Sequence, residues 1–149
     1  MSPDTRDQLG WRWVSTATVA VADFGNPLVT SRYALCIYDG TGALKLAAAA
    51  PPDDTCAGRP CWRRTRSGLQ YRDRALTPDG LLKISLKAGP AGRAKIAVRG
   101  KGANLRMPAP PFTTPVRVQL GRNDASTCWE ARFGTPVRNQ TDRFIARSD

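Results

Sequence analysis

The sequence predicts an all-β protein, an antiparallel β-sandwich or jelly-roll-like domain of about eight to ten short strands. The first observation is that apolar and polar residues alternate in short runs, as in residues 93–99 and 116–120. The second is that clusters of Gly, Pro, Asn and Asp separate these runs. The third is that no segment carries an i, i+3, i+4 apolar stripe longer than two turns.

One domain is expected over residues 9–149, because 149 residues with 41% hydrophobic content suffice for a single core. Residues 1–8 are polar, like an initiator methionine placed before a mature domain, and are predicted to be disordered or vector-derived. The longest apolar stretch, near residues 47–50, is too short to be a transmembrane segment.

The clearest element is a β-hairpin over residues 81–99, folded around the turn signal at 88–92. Because alternate strand residues share a face, one face is predicted to be apolar: Leu82, Ile84, Leu86, Ala94, Ile96 and Val98. The opposite face is basic and comprises Lys83, Lys87, Arg93, Lys95 and Arg99.

The other strands follow the same pattern. Before the hairpin they are predicted over residues 9–14, 16–24, 32–38, 43–50, 61–64 and 69–72, with a Pro-rich, Asp-rich loop at 51–60. Beyond it they are predicted over residues 116–120, 127–133 and near 144–145. Four prolines make residues 108–115 an extended crossover or an edge rather than a central strand.

The four cysteines indicate disulfides rather than metal, because they lack zinc-site spacing and the chain has no histidine. Cys56 and Cys61 bracket a turn-forming loop, which leaves Cys36 to pair with Cys128. We therefore expect a disulfide-stapled fold in a secreted, cell-surface or periplasmic location. The alternative is four buried free thiols in a reducing compartment.

The chain is strongly basic, with a net charge of +11. This charge favours polyanionic partners such as acidic polysaccharide or nucleic acid, and the basic hairpin face is the candidate surface. The alternative is an ordinary solvated face whose lysines discourage strand-to-strand aggregation.

The four tryptophans suggest a second kind of site. Trp11 and Trp13 share a strand face and are candidates for an aromatic platform that holds a glycan, with the core as the alternative. Trp62 and Trp129, each beside a cysteine, are expected to pack in the core.

Catalysis is not expected. Without histidine, the commonest general base is missing, and Glu130 is the only glutamate. A glycosidase would need a second carboxylate opposite Glu130, such as Asp39 or Asp79, and nothing in the spacing indicates one. No catalytic motif, metal site or cofactor site is predicted.

Several motifs occur in one order along the chain: YALCIYD at residues 33–39, CAGRPCW at 56–62, KIAVRGKG at 95–102, VQL at 118–120 and CWE at 128–130. In this order the chain resembles an uncharacterised β domain that recurs in predicted secreted or cell-surface bacterial proteins. The resemblance covers nearly all of residues 9–144 and implies an exported β domain, with no known site residues to transfer.

The function expected from the sequence is therefore a non-enzymatic structural, adhesive or ligand-binding module of an exported bacterial protein. A polyanion-binding domain that acts through the basic sheet face is the alternative, and a glycosidase-type hydrolase is the remote one. Self-association through an unpaired edge strand is a further route.

Overall fold

Two antiparallel sheets stack face to face in the computed structural model, which describes residues 7–126, 128–140 and 143–147. The strands are β1 (Gln8–Val14), β2 (Tyr33–Tyr38), β3 (Leu44–Ala50), β4 (Thr55–Cys56), β5 (Arg59–Pro60), β6 (Trp62–Arg64), β7 (Gly68–Arg72), β8 (Leu81–Lys87), β9 (Lys95–Lys101), β10 (Val116–Arg122), β11 (Cys128–Phe133), β12 (Arg138–Gln140) and β13 (Arg143–Ile145). The strand predicted at residues 9–14 begins one residue earlier, at Gln8, and Asp7 accepts a backbone hydrogen bond from Gly102. Residues 1–6 of the segment predicted to be disordered lie outside the described residues.

The first sheet has the strand order β1-β9-β8-β7-β6, and the second has β11-β10-β2-β3. Two small hairpins, β4-β5 and β12-β13, complete the set, and all pairings are antiparallel. The all-β antiparallel prediction is confirmed. The structure has more strands than predicted because these short hairpin strands lie in segments that carry mainly turn residues.

An aromatic cluster joins the two sheets. Tyr33 on the second sheet and Trp62 on the first have ring centroids 5.3 Å apart, and Tyr33 stacks on Trp129 at 6.2 Å. Trp62 is 1% exposed and Trp129 6%, which confirms their predicted core positions. Such burial stabilises by roughly 1.5–3 kcal/mol for each large apolar side chain. The cluster therefore contributes to holding the two sheets together.

The predicted hairpin is β8-β9, and its apolar face is largely as expected: Ile84, Leu86, Ala94, Ile96 and Val98 are buried. Leu82 is the exception. A β-bulge between Leu81 and Lys83 inserts one extra residue, so that Leu81 is fully buried and Leu82 only half-buried.

The strand predicted over residues 16–24 is wrong. Val19 forms one isolated bridge with Gly89, and Val21–Phe24 is a turn of 3₁₀ helix. The carboxylate of Asp23 accepts a hydrogen bond of 2.9 Å from the N–H of Ala20, which closes this turn locally. Phe24 is fully buried, so the segment contributes to the core without joining a sheet.

The cysteine prediction is half right. Cys56 and Cys61 form a disulfide across the β4-β5 hairpin, whereas Cys36 and Cys128 are free. The predicted Cys36–Cys128 bond is wrong because β10 lies between β2 and β11. Two inter-strand spacings separate the two backbones by about 10 Å, beyond the reach of a disulfide.

No helix in the described part of the chain is long and apolar enough to span a membrane.

Candidate functional site

The outer face of the first sheet is strongly basic. Its sheet strands, β1 and β6 to β9, contain no Asp or Glu. Every cation whose side chain points outward from them is exposed. We call this surface the basic face, and its cations are Arg12, Arg63, Arg72, Lys83, Lys87, Lys95, Arg99 and Lys101.

The strand register places like charges directly opposite one another. Lys83 lies opposite Arg72 on one side and Arg99 on the other, which makes a row of cations across three strands. Lys87 lies opposite Lys95. Neighbouring strands are about 4.8 Å apart. Like charges directly opposite in a sheet are destabilising, so these rows carry a cost in the free protein.

The carboxylates that form ion pairs or hydrogen bonds in the described part of the chain do so away from the basic face. The ion pairs among the described residues are Lys45–Asp39, Arg117–Glu130 and Arg122–Asp124, and none of them lies on the basic face. Asp73 and Asp79 accept backbone N–H groups of Thr77 and Ala49. The basic face is therefore without an internal counter-charge in the described part of the chain.

A groove of about 870 Å³ opens in this face and continues over its free edge. Small residues form part of the lining, namely Gly10, Ser85 and Ala97. Four cations also line it: Arg12, Lys83 and Arg99 from the sheet and Arg147 from the C-terminal segment. No atom lies within 4 Å of the position that a Cβ at Gly10 would take, so the groove is open at that point. A cationic depression of this kind suits an anionic group.

The predicted basic cluster is mostly brought together. Lys83, Lys87, Lys95 and Arg99 share the basic face, but Arg93 lies in the turn before β9. Sequence reasoning missed Arg12, Arg63, Arg72 and Lys101, which join the face. Alternation along β1 and β7 points to Arg12 and Arg72, but which strands pair with the hairpin is decided by the tertiary fold.

The predicted aromatic platform is not formed. Trp11 is 5% exposed and lies in the core, and Trp13 is half-buried against the core on the same inner face of β1. The physical reason is that the outward positions of β1 fall to Gln8, Gly10, Arg12 and Val14, which leaves the indoles to the sandwich interior.

The outer face of the second sheet has a different chemistry. Cys36 and Cys128 lie there on either side of β10, and burial raises the pKa of both thiols. A hydrogen bond with Tyr38 partly offsets the rise at Cys36, and the charge of Glu130 adds to the rise at Cys128. Both groups therefore stay thiols near neutral pH and are weak nucleophiles.

Glu130 lies on this same face without a second acid on its sheet. It accepts a hydrogen bond of 2.7 Å from the Gln119 side-chain amide and forms an ion pair of 3.6 Å with Arg117. Strands β2, β3, β10 and β11 contain no other Asp or Glu. The arrangement on this sheet lacks the facing carboxylates that glycoside hydrolysis uses.

No family model, curated protein or solved structure matches this chain.

Proposed function

We propose that this domain is a non-enzymatic binding module that holds an acidic polysaccharide on its basic face. The observation that carries the proposal is the row formed by Arg72, Lys83 and Arg99, where like charges lie directly opposite one another and no described carboxylate pairs with them. An anionic chain laid across this row supplies the missing charge, and release of its counterions drives the association.

The side chains of the face favour a polysaccharide over a single-stranded nucleic acid. Single-strand binders stack bases on exposed aromatic rings, whereas the outward residues of these strands include no aromatic side chain. The Cys56–Cys61 disulfide supports a secreted, cell-surface or periplasmic location, where acidic polysaccharides occur. The resemblance to an exported bacterial β domain supports the same location.

Heparin serves as the probe polysaccharide. We expect the wild-type protein to bind it with an affinity that falls steeply as salt increases. The double variant Lys83→Ala/Arg99→Ala should bind more weakly, and the slope of log affinity against log salt should fall by about one for each ligand contact removed. The matched control is Lys45→Ala/Arg117→Ala, which removes two cations on strands of the other sheet and should leave the slope unchanged.

Two outcomes contradict the proposal. One is equal loss of heparin binding in both double variants, because net charge alone would then explain binding. The other is tighter binding to duplex DNA than to heparin at matched salt, which would favour the nucleic-acid alternative.

A further inference from the structure

We propose that a second copy of this chain pairs antiparallel with the free edge of β1, so that two basic faces join into one continuous surface. The sequence predicted self-association through an unpaired edge strand. The present proposal names that strand as β1 and specifies its register. The pairing itself is independent of polysaccharide binding, and only its coupling to a polyanion rests on the proposed function.

The hydrogen bonds at both ends of β1 show which of its backbone groups have no partner among the described residues. Gly102 donates its N–H to Asp7, and Ser15 donates to Ala94, with the β1-β9 register continuous between them. In an antiparallel ladder bonded pairs alternate, so the odd-numbered residues of β1 face β9. The N–H and C=O groups of Gln8, Gly10, Arg12 and Val14 therefore point to the free edge.

This edge is long and open. β1 has seven residues, whereas β6 at the opposite edge of the sheet has three. The groove beside β1, which Phe133, Ala146 and Arg147 also line, leaves open space at Gly10, and Val14 is 53% exposed. Long unpaired edges with apolar residues are templates for pairing with another chain.

The side chains of β1 complement a copy of themselves. In a two-fold pairing centred on Trp11, Gly10 lies opposite Arg12 of the second copy. In this register each even-numbered residue of one copy lies opposite an even-numbered residue of the other. The even-numbered residues are those whose N–H and C=O groups point to the free edge, so the two copies can form the hydrogen bonds of an antiparallel pair. The long Arg12 side chain falls where the missing side chain of Gly10 leaves open space. On the inner side, half-buried Leu9 lies opposite the half-buried Trp13 of the copy.

Charge sets the conditions for this dimer. Each copy carries +11, so two adjoining basic faces repel each other at low salt. Screening by salt shortens the range of this repulsion, and an anionic chain that spans both faces removes it. We therefore expect dimerisation to strengthen with salt and with a heparin oligosaccharide long enough to reach both copies.

The test uses a matched pair of variants at Gly10, where a side chain fits the monomer without a clash. Gly10→Glu places an acid opposite Arg12 of the second copy, and Gly10→Lys places a base there. Sedimentation equilibrium should show a dimer dissociation constant about two- to thirty-fold lower for Gly10→Glu than for wild type, and higher by a similar factor for Gly10→Lys. A dimer that responds equally to both substitutions would overturn the register.

Cross-linking provides a second measurement. In a Cys36→Ser/Cys128→Ser background, Gly10→Cys with Arg12→Cys should give a disulfide-linked dimer on oxidation, because directly opposite residues in this pairing lie within disulfide range. Gln8→Cys with Arg12→Cys should give far less. A monomer in every salt condition that still binds heparin would overturn the edge pairing alone. A salt-induced dimer that does not bind heparin would support the pairing and overturn only the proposed function.

Discussion

Replacing Lys83 by Glu should make the free protein more stable while it weakens polyanion binding. Lys83 is the middle cation of a row, directly opposite both Arg72 and Arg99. The single substitution turns two like-charge pairs into two opposite-charge pairs. A cross-strand charge pair contributes roughly 0.2–1 kcal/mol, with exposed pairs toward the low end. Each of the two pairs counts twice, because a repulsion is removed and an attraction is gained, so the total gain is about 1–2 kcal/mol.

Urea unfolding at low salt is the appropriate assay, because urea is uncharged and leaves the electrostatic contribution intact. The unfolding free energy from these curves should be about 1–2 kcal/mol higher than that of wild type, and a separate thermal melt should show a melting temperature about 2–8 °C higher. The gain should shrink at high salt, where exposed charges are screened. Lys101→Glu is the matched control, because Lys101 lies on the same face opposite the neutral Gln8. Its stability should change by about 0.5 kcal/mol or less.

Equal or lower stability of Lys83→Glu at low salt would show that the row carries no repulsion. The central observation behind the proposed function would then be lost. A stability gain equal to that of Lys101→Glu would have the same consequence, because lower net charge would then account for the effect without the register.

Three further predictions address the rest of the molecule. Mass spectrometry under non-reducing conditions should find Cys36 and Cys128 free, and their alkylation should be slower than that of a model thiol at pH 7.5 and accelerate as pH rises, because burial raises both pKa values. The Thr41 hydroxyl holds the pKa of Asp39 below its usual value. The stability that ionised Asp39 provides is therefore present above its unfolded-state pKa and is lost as the pH falls through its folded-state pKa. Urea unfolding should show that Asp39→Asn is destabilising at neutral pH and much less so near pH 2. Gly68→Ala should cost about 1–3 kcal/mol of unfolding free energy, because its Cβ would meet a β8 carbonyl oxygen at 1.8 Å, whereas Gly121→Ala has open space and should be near neutral.

Strand identity was predictable wherever one face of a strand is buried and the other solvated. In β9 the buried Ile96 and Val98 alternate with the exposed Lys95 and Arg99. This alternation of apolar and charged residues with a period of two can be recognised in the sequence. The half-buried position of Leu82 was not predictable. The bulge adds one residue to β8, so that residues before it alternate between the two faces in the opposite order. Nothing in the local pattern Leu81-Leu82 distinguishes the two arrangements.

Pairing between distant strands was the harder part. Cys36 and Cys128 each lie in a strand-like run, which made a bond between them plausible by elimination. The insertion of β10 between their strands depends on tertiary packing, which a pattern within each run does not encode. The dependence of strand pairing on tertiary packing also explains why the sequence did not place Arg12 and Arg72 on the basic face. Their strands are recognisable, but their places beside the hairpin are not.

The tryptophans show how a sequence pattern locates a face without telling which side is buried. Trp11 and Trp13 share one face of β1, as expected, and the other face carries Gly10 and Arg12. Burial of the indoles gains far more free energy than burial of a glycine and an arginine, so the aromatic face turns inward. This same orientation presents Arg12 and the gap at Gly10 to solvent, where sequence reasoning had sought a glycan platform.

Strand β1 consequently links the two proposals. Its outward side chains border the basic face, and its free backbone groups form the edge at which a second copy would pair. If a polyanion strengthens the dimer by a given factor, linkage requires that the dimer binds that polyanion more tightly by the same factor. Lys83→Glu separates the two contributions, because it weakens repulsion between copies while it removes a ligand contact. In this variant the dimer should form at lower salt, and heparin should promote it less than it promotes the wild-type dimer.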